Sequence, residues 1–296
     1  MAHILAVGVA TLDIIHEVAN FPAEDSEIRA LSQRIQRGGN ATNTLVVLSQ
    51  LGHHCGWGGV LVDTADAAVV LQELGRYGID YRYCSRSTYG RLPTSCVTLS
   101  RGGGTRTIVH YRDLPEFSAA DFLQIPLEDL EWLHFEGRNV EETCLMMQRV
   151  RDEAPQLPVS LEVEKPRDGI ERLFPLADLL LFSPAFADAG SVSPQALLAQ
   201  ARELAPHADL ICSLGEHGAM ALGRDGVWLT AEACPPPQVV DTLGAGDTFN
   251  AAIIHARLQG DSLQASMRFA CALAGSKCGQ AGFDGLSIPP RAGHRA

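Results

Sequence analysis

Five short apolar runs, at residues 4–9, 130–135, 158–163, 178–182 and 209–214, recur along the chain. Each is strand-sized and apolar at successive positions, so both of its faces must be covered, as in a parallel sheet between helix layers. The intervening stretches change period. From Asn40 the residues Thr44, Leu48 and Leu51 fall at spacings of four and three, and Gly52 comes next as a stop. From about Asp66, Val70, Leu74 and Tyr77 share a side before Gly78. Strands alternating with helices at this spacing predict an α/β fold with a mainly parallel central sheet. A chain of 296 residues suffices for one large domain of that kind, or two.

Two stretches break the rhythm. Residues 13–37 are too polar for buried strands, and residues 94–112 alternate like a hairpin, "SCVTLS" and "TRTIVHY" flanking the turn "RGGG". They predict a small one-faced sheet that must cover its apolar face, as a lid over a cleft or a dimer contact. The expected division is a large domain of residues 1–12, 38–90 and 114–296, with residues 13–37 and 91–113 forming a discontinuous lid. No repeat, low-complexity tract or long linker is visible, and Pro235-Pro236-Pro237 reads as a stiff connector.

A hydrophobic fraction of 46% with 20% charged residues is ordinary globular composition. The net charge of −12 argues against nucleic acid or an acidic membrane as partner, since both require a basic footprint, but leaves small anionic ligands open. The eight cysteines form no Cys-x-x-Cys pair and read as reduced thiols of a cytoplasmic protein, with zinc not expected. The first residues, "MAHILAVGVATLD", lack a basic start, and Asp13 closes the apolar run, so neither a signal peptide nor a membrane span is expected.

The chemistry concentrates in "VVDTLGAGDTFN", residues 239–250. Phe249, Ala252, Ile253 and Ala256 make a helical stripe that ends before Gly260, so Gly244, Ala245 and Gly246 form a bare loop at a helix N-terminus. Free N–H groups and the helix dipole make such a mouth an anion site, and missing side chains let a phosphate approach. An ordinary capped helix start is the competing reading. No G-x-x-x-x-G-K-[ST] occurs, and Phe249 replaces the third glycine of G-x-G-x-x-G. A second stretch, "RGGNATN" at residues 37–43, also sets glycines before a helix and adds Asn40 and Asn43, three apart on one side. Their carboxamides donate and accept, which suits hydroxyl-rich ligands, although a cap plus a solvent-facing Asn is the plain alternative. Asp13, just past the first strand, adds a carboxylate where parallel sheets collect ligands.

Together, Gly38-Gly39-Asn40-x-x-Asn43 early and Asp241-Thr242-x-Gly244-Ala245-Gly246-Asp247 late resemble the paired signatures of the PfkB-type, ribokinase-like sugar kinases. "EDSEIRALSQRIQRGGNATN", "LHFEGRN", "EVEKPR", "PPPQVVDTLGAGDTFNA" and "KCGQAGFDG" extend the likeness over nearly the whole chain, toward the ketohexokinase (hepatic-type fructokinase) branch of that family. The resemblance implies a three-layer α/β/α sandwich with a β-sheet lid, the β-clasp, through which two copies dimerise. It implies ATP-dependent phosphorylation of a ketohexose, D-fructose to D-fructose 1-phosphate, with Mg²⁺ and room for K⁺ near the anion hole. By the same resemblance Asp247 is the catalytic base and Gly244, Ala245 and Gly246 the anion hole. Asp13, Gly39, Asn40, Asn43 and Asp247 hold the sugar, while Arg106, Gly215, Glu216, His217 and Gly218, with residues 244–246, hold the nucleotide. Asp25 falls on a clasp strand. Where the wider family often carries Asn-x-x-Glu, this chain reads "FSPAFAD" at residues 182–188, which leaves the metal's protein contacts open. Glu164, two residues beyond Glu162 on a predicted strand, is one candidate to hold a metal-bound water; solvent-facing carboxylates are the plainer reading of both. Asp247, beside a positive helix end, is expected to stay ionised at neutral pH. Another sugar or nucleoside kinase, or a non-catalytic sugar sensor, shares the same fold; a sensor has no use for the base.

Overall fold

The computed structural model describes residues 1–102 and 105–289; Gly103 and Gly104 of the expected hairpin turn lie outside the described residues. The strands are β1 (His3–Val7), β2 (Thr11–Val18), β3 (Ser32–Gly38), β4 (His54–Gly58), β5 (Val60–Val62), β6 (Ser85–Ser87) and β7 (Thr94–Ser100). They continue with β8 (Arg106–Tyr111), β9 (Trp132–Glu136), β10 (Val159–Val163), β11 (Leu179–Phe182), β12 (Asp209–Ser213), β13 (Ala219–Leu222) and β14 (Trp228–Ala231). The helices are α1 (Asn40–Gln50), α2 (Ala65–Arg76), α3 (Ala119–Phe122), α4 (Val140–Glu153), α5 (Pro184–Ala189), α6 (Pro194–Leu204), α7 (Ala245–Leu258) and α8 (Leu263–Cys278).

The central sheet runs β14-β13-β12-β11-β10-β9-β1-β4, parallel from β4 to β12 and closed at one edge by the antiparallel β13 and β14. All five apolar runs are strands of this sheet. Successive side chains of β1 enter opposite layers. Ile4 and Ala6 join a core with α1, α7 and α8, and Leu5 and Val7 join a core with α4 and α6. Burying each Ile, Leu or Val side chain contributes about 1.5–3 kcal/mol, which is why these runs specify interior strands so firmly. The strand at residues 4–9 stops early, at Val7. A Cβ at Gly8 would sit 2.0 Å from Oε2 of Glu136, which accepts the Val9 N–H. The chain bends there and admits that carboxylate.

A second sheet, β3-β2-β7-β8, carries the two irregular stretches. Residues 13–37 are too polar for a strand buried on both faces: β2 is buried along one face, and β3 is exposed until Arg37 and Gly38 at its end. In β2, Leu12, Ile15 and Val18 are buried, and α2 packs against β2 and β3. Across the four strands Ile35, Ile14, Cys96 and Val109 stand in register, and Ile35 and Val109 are exposed. Asp25, expected on a strand, lies instead in the connection between β2 and β3 with φ 55°. That positive φ does not fit a pleated strand.

Candidate active site

The carboxyl ends of β1, β9 and β10 and the N-termini of α1 and α7 meet at one place, as expected for a parallel α/β sheet. Two glycine loops make the approach possible. Gly39 caps α1 at φ 101°, where an added Cβ would lie 2.0 Å from the Val9 carbonyl oxygen, and Gly244 caps α7 at φ 80° against the Phe283 ring. Neither helix has a side-chain cap, so the first-turn N–H groups stay open to a ligand. A Cβ at Gly246 would meet open space.

Asn43 and Asp247, 204 residues apart, meet across the two helix starts: Nδ2 of Asn43 donates to Oδ2 of Asp247 at 2.6 Å. Arg37, the penultimate residue of β3 and only 2% exposed, orients that amide. Its Nη1 donates to Oδ1 of Asn43 and to Oγ1 of Thr42, both at 2.8 Å, leaving the Asn43 NH₂ to face Asp247. Asp247 is itself buried. Desolvation pushes its carboxyl up to about 7, Glu164 and Glu136 adding to the rise and Asn43 and Arg37 opposing it. The expectation that the helix end keeps Asp247 fully ionised is therefore corrected, because loss of water outweighs the half-charge of the dipole.

Asn40 turns to a different partner. Its Nδ2 donates to Oε1 of Glu162 at 3.2 Å, and Nδ2 of Asn250 reaches the same oxygen at 3.1 Å. Glu162 is buried in β10, not solvent-facing, and its Oε2 has no hydrogen-bond partner among the described residues. Burial raises its pKa well above the usual range, and Asp247 and Glu136 raise it further. Glu136 pairs with Glu162 across β9 and β10. Glu164 lies past the end of β10, half-exposed, with its Oε1 3.6 Å from Nζ of Lys165. Asp13, buried beside Gly38, accepts from Oγ1 of Thr11 at 2.7 Å, and burial raises its pKa too. A Cβ at Gly38 would lie 2.1 Å from its Oδ2, so the first glycine of the pair makes room for Asp13.

Arg106 of β8 donates from Nη1 to Oγ1 of Thr242 at 2.7 Å, which brings the second sheet to the loop before the α7 mouth. Arg34 of β3 donates to Asp241 at 2.6 Å beside it. Gly215, Glu216, His217 and Gly218 form a single turn after β12. Gly218 is held at φ 88° with the Ala231 carbonyl 2.0 Å from a would-be Cβ, while the side chains of Glu216 and His217 point to solvent.

Compared with known proteins, residues 1–289 match the model of the pfkB family of carbohydrate kinases. Ketohexokinase of Mus musculus is 41% identical over 292 residues, covering 96% of this chain and 98% of the relative. The chain belongs to the pfkB family. Among its more distant relatives, a ribokinase of Bacillus subtilis is 24% identical, covering 91% of this chain and 90% of its own. Two solved structures share the fold: Arabidopsis thaliana ribokinase complexed with ribose and ATP (TM-score 0.79, 22% identity, 95% and 94% of the two chains) and a Burkholderia thailandensis nucleoside kinase in complex with inosine (TM-score 0.75, 18% identity, 98% and 94%).

As a pfkB kinase the chain is a sugar phosphotransferase, and its fold is the ribokinase-like α/β sandwich. Four parts of the site are not evident from residue order. Arg37 stands just ahead of the glycines in "RGGNATN", and its one signal is that an arginine tied to a glycine pair at a strand end has little room to reach solvent. Glu162 has the look of an ordinary strand carboxylate. Glu136 and Asn250 give no signal, since only the register of β9 with β10 and the first turns of α7 bring them to Glu162.

Proposed function

We propose that this kinase transfers the γ-phosphoryl group of ATP to the C1 hydroxyl of D-fructose, giving D-fructose 1-phosphate. The observation that carries the reading is the Asn43–Asp247 contact at the open mouth of α7. On this reading a base and an anion-holding loop lie within one turn of backbone, and the 41% identity to a ketohexokinase supports a ketohexose as the acceptor. Phosphoryl transfer runs through a loose transition state, so positioning and charge stabilisation do most of the work. Asp13, Asn40 and Asn43 hold the sugar hydroxyls against Gly39. Asp247, held near neutrality, orients the reacting hydroxyl and accepts its proton as the bond to phosphorus forms. The N–H groups of Gly244, Ala245 and Gly246 receive the migrating phosphoryl, with Arg106 and the turn from Gly215 to Gly218 at the nucleotide.

Mg²⁺ fits this site as an ion carried by the triphosphate. The unpaired, buried Oε2 of Glu162 and the half-exposed Glu164 are hard oxygens suited to waters of a hydrated Mg²⁺. No cluster of three His, Cys, Asp or Glu side chains among the described residues is arranged to hold an ion directly. K⁺ beside the anion hole and a cytoplasmic location belong to the same proposal. So does a lid of residues 13–37 and 91–113 that clasps a second copy. The exposed Ile35 and Val109 support that clasp, and sedimentation of an Ile35→Glu, Val109→Glu protein is expected to show monomers where the parent shows dimers.

An ADP-release assay over fructose, ribose, other hexoses and nucleosides tests the activity, and phosphorus and carbon NMR of the product separates C1 from C6. Preference for ribose or a nucleoside, or no turnover at all, would overturn the reading. Asn40→Ala is expected to raise the sugar KM with kcat nearly kept, because its amide serves ground and transition states alike. Asn43→Ala is expected to lower kcat as well, by about tenfold or more, since it also frees the base; equal kcat in the two variants would remove Asn43 from the base's support. Arg106→Ala is expected to raise the ATP KM and leave the sugar KM unchanged.

A further inference from the structure

In the second sheet the row one residue along from Ile35, Ile14, Cys96 and Val109 is Gln36, Asp13, Ser95 and His110, in register across all four strands. Successive side chains of a strand point to opposite faces, so this polar row lies on the face away from the exposed Ile35 and Val109. Asp13 and Ser95 are buried there, whereas His110 is exposed. Nδ1 of His110 lies 3.2 Å from Oγ of Ser95. The hydroxyls of Thr11 and Ser95 in turn steady the ionised Asp13 carboxyl against the cost of its burial. Ser95 has one proton to give, and a carboxylate is a stronger acceptor than a ring nitrogen. The Ser95 oxygen therefore accepts from Nδ1–H of His110, and in the neutral ring Nε2 carries the lone pair.

The charged groups around His110 come from four parts of the chain: Asp13 of β2, Arg112 just past β8, Arg138 after β9 and Lys165 after β10. Desolvation and the three cations hold its pKa below the usual value, with Asp13 opposing, so the ring is neutral at pH 7. Arg138 and Lys165 also line a hollow with Asn40, Glu136 and Glu162. His110 thus stands between Asp13 and the Asn40 hollow. We propose that His110 is a specificity-determining residue, its Nε2 accepting a hydrogen bond from one hydroxyl of the acceptor sugar beyond those held by Asp13 and Asn40. This deepens the kinase reading and rests on it for the sugar's place between those two residues. A hydroxyl is the matching chemistry, because a neutral imidazole nitrogen accepts from O–H and gives nothing to a carbonyl or an ether oxygen. A site built to pair with a hydroxyl also rejects the analogue that lacks it, since the nitrogen is then desolvated without a donor.

The test compares D-fructose with a set of its monodeoxy analogues in the parent, His110→Leu and His110→Gln proteins. His110→Leu is expected to raise the fructose KM by about threefold to tenfold, the worth of one hydrogen bond, with the ATP KM unchanged. One analogue is expected to carry a similar penalty in the parent and no further penalty in His110→Leu, a coupling that a merely structural histidine would not show. His110→Gln, whose amide oxygen accepts in place of Nε2, is expected to recover most of the loss. If every analogue is penalised equally in the parent and His110→Leu, the proposal fails and His110 is a solvated strand residue or a contact between copies. A parent that prefers another acceptor defeats the fructose reading alone, and the same comparison with that sugar and its deoxy forms still decides His110. Where no sugar is turned over, the ring ¹⁵N signals of labelled protein, assigned with His110→Gln, report binding during titration with D-fructose. A saturable displacement of the Nε2 signal supports the proposal, and its absence sinks it.

Discussion

Asp247→Asn is expected to lower kcat by roughly 10²–10⁴, the range lost with a general base, while the sugar KM changes much less. The amide keeps the volume and the contact with Asn43 but cannot take the hydroxyl proton. A variant turning over within a few-fold of the parent would remove Asp247 from the chemistry. The pH profile supplies a second signature. Burial holds the carboxyl at about 7, so kcat/KM of the parent is expected to fall below that pH as the base becomes protonated. Stability should move the other way. A carboxyl whose folded pKa lies above its unfolded value contributes stability that is fully present below the unfolded pKa and is lost as pH rises through the folded one. Asp247→Asn removes that loss. Its melting temperature relative to the parent is expected to rise between pH 5 and pH 8, a difference on the order of 1–4 kcal/mol at the alkaline end. A constant difference across that range would contradict the raised pKa.

Lys277→Met is expected to destabilise the fold by about 3 kcal/mol, the lower end of the loss caused by removing one partner of a buried charge pair. Lys277 sits on α8 with no solvent exposure. Its Nζ donates to the Asp241 backbone carbonyl at 3.0 Å, stands 3.5 Å from the Asp241 carboxylate, and lies 5.4 Å from the Phe283 ring centroid. Burial drives its pKa down and opposes ionisation of Asp241, but Lys277, Arg34 and the N–H groups of Leu243 and Gly282 hold that carboxyl below its usual range. Methionine keeps the volume and strands the carbonyl. Arg34 still faces Asp241 at 2.6 Å, which keeps the loss near the lower end. For a chain of this size the melting temperature should drop by about 5 °C. Adding Asp241→Asn is expected to recover part of the loss, a coupling that independent sites would not show. An unchanged melting temperature for Lys277→Met would mean that the ammonium is not the anchor of the loop leading into Gly244.

The half of the candidate site built on the two helix starts is legible in the sequence because it depends on local grammar. Glycines that must precede a helix, an Asp two residues into it, and a pair of Asn three apart constrain the backbone over a few residues. The same local logic yields strands for the five apolar runs. It fails for β4, whose "HCGWG" carries three small residues, and for the short β13 and β14 at the antiparallel edge, where pairing with β12 supplies what the residues lack.

Residue order alone determined the alternation of strand and helix and the two bare helix mouths, which come from hydrophobic period and from backbone angles that only glycine adopts easily; the candidate base was named by the family resemblance of its motif. Only the tertiary structure decided the protonation of that base, the burial of Glu162 and the cradle of Arg37 around Asn43. Desolvation and hydrogen bonding act between groups brought together from distant parts of the chain, such as Asn43 and Asp247, and spacing along the sequence does not encode their separation in space.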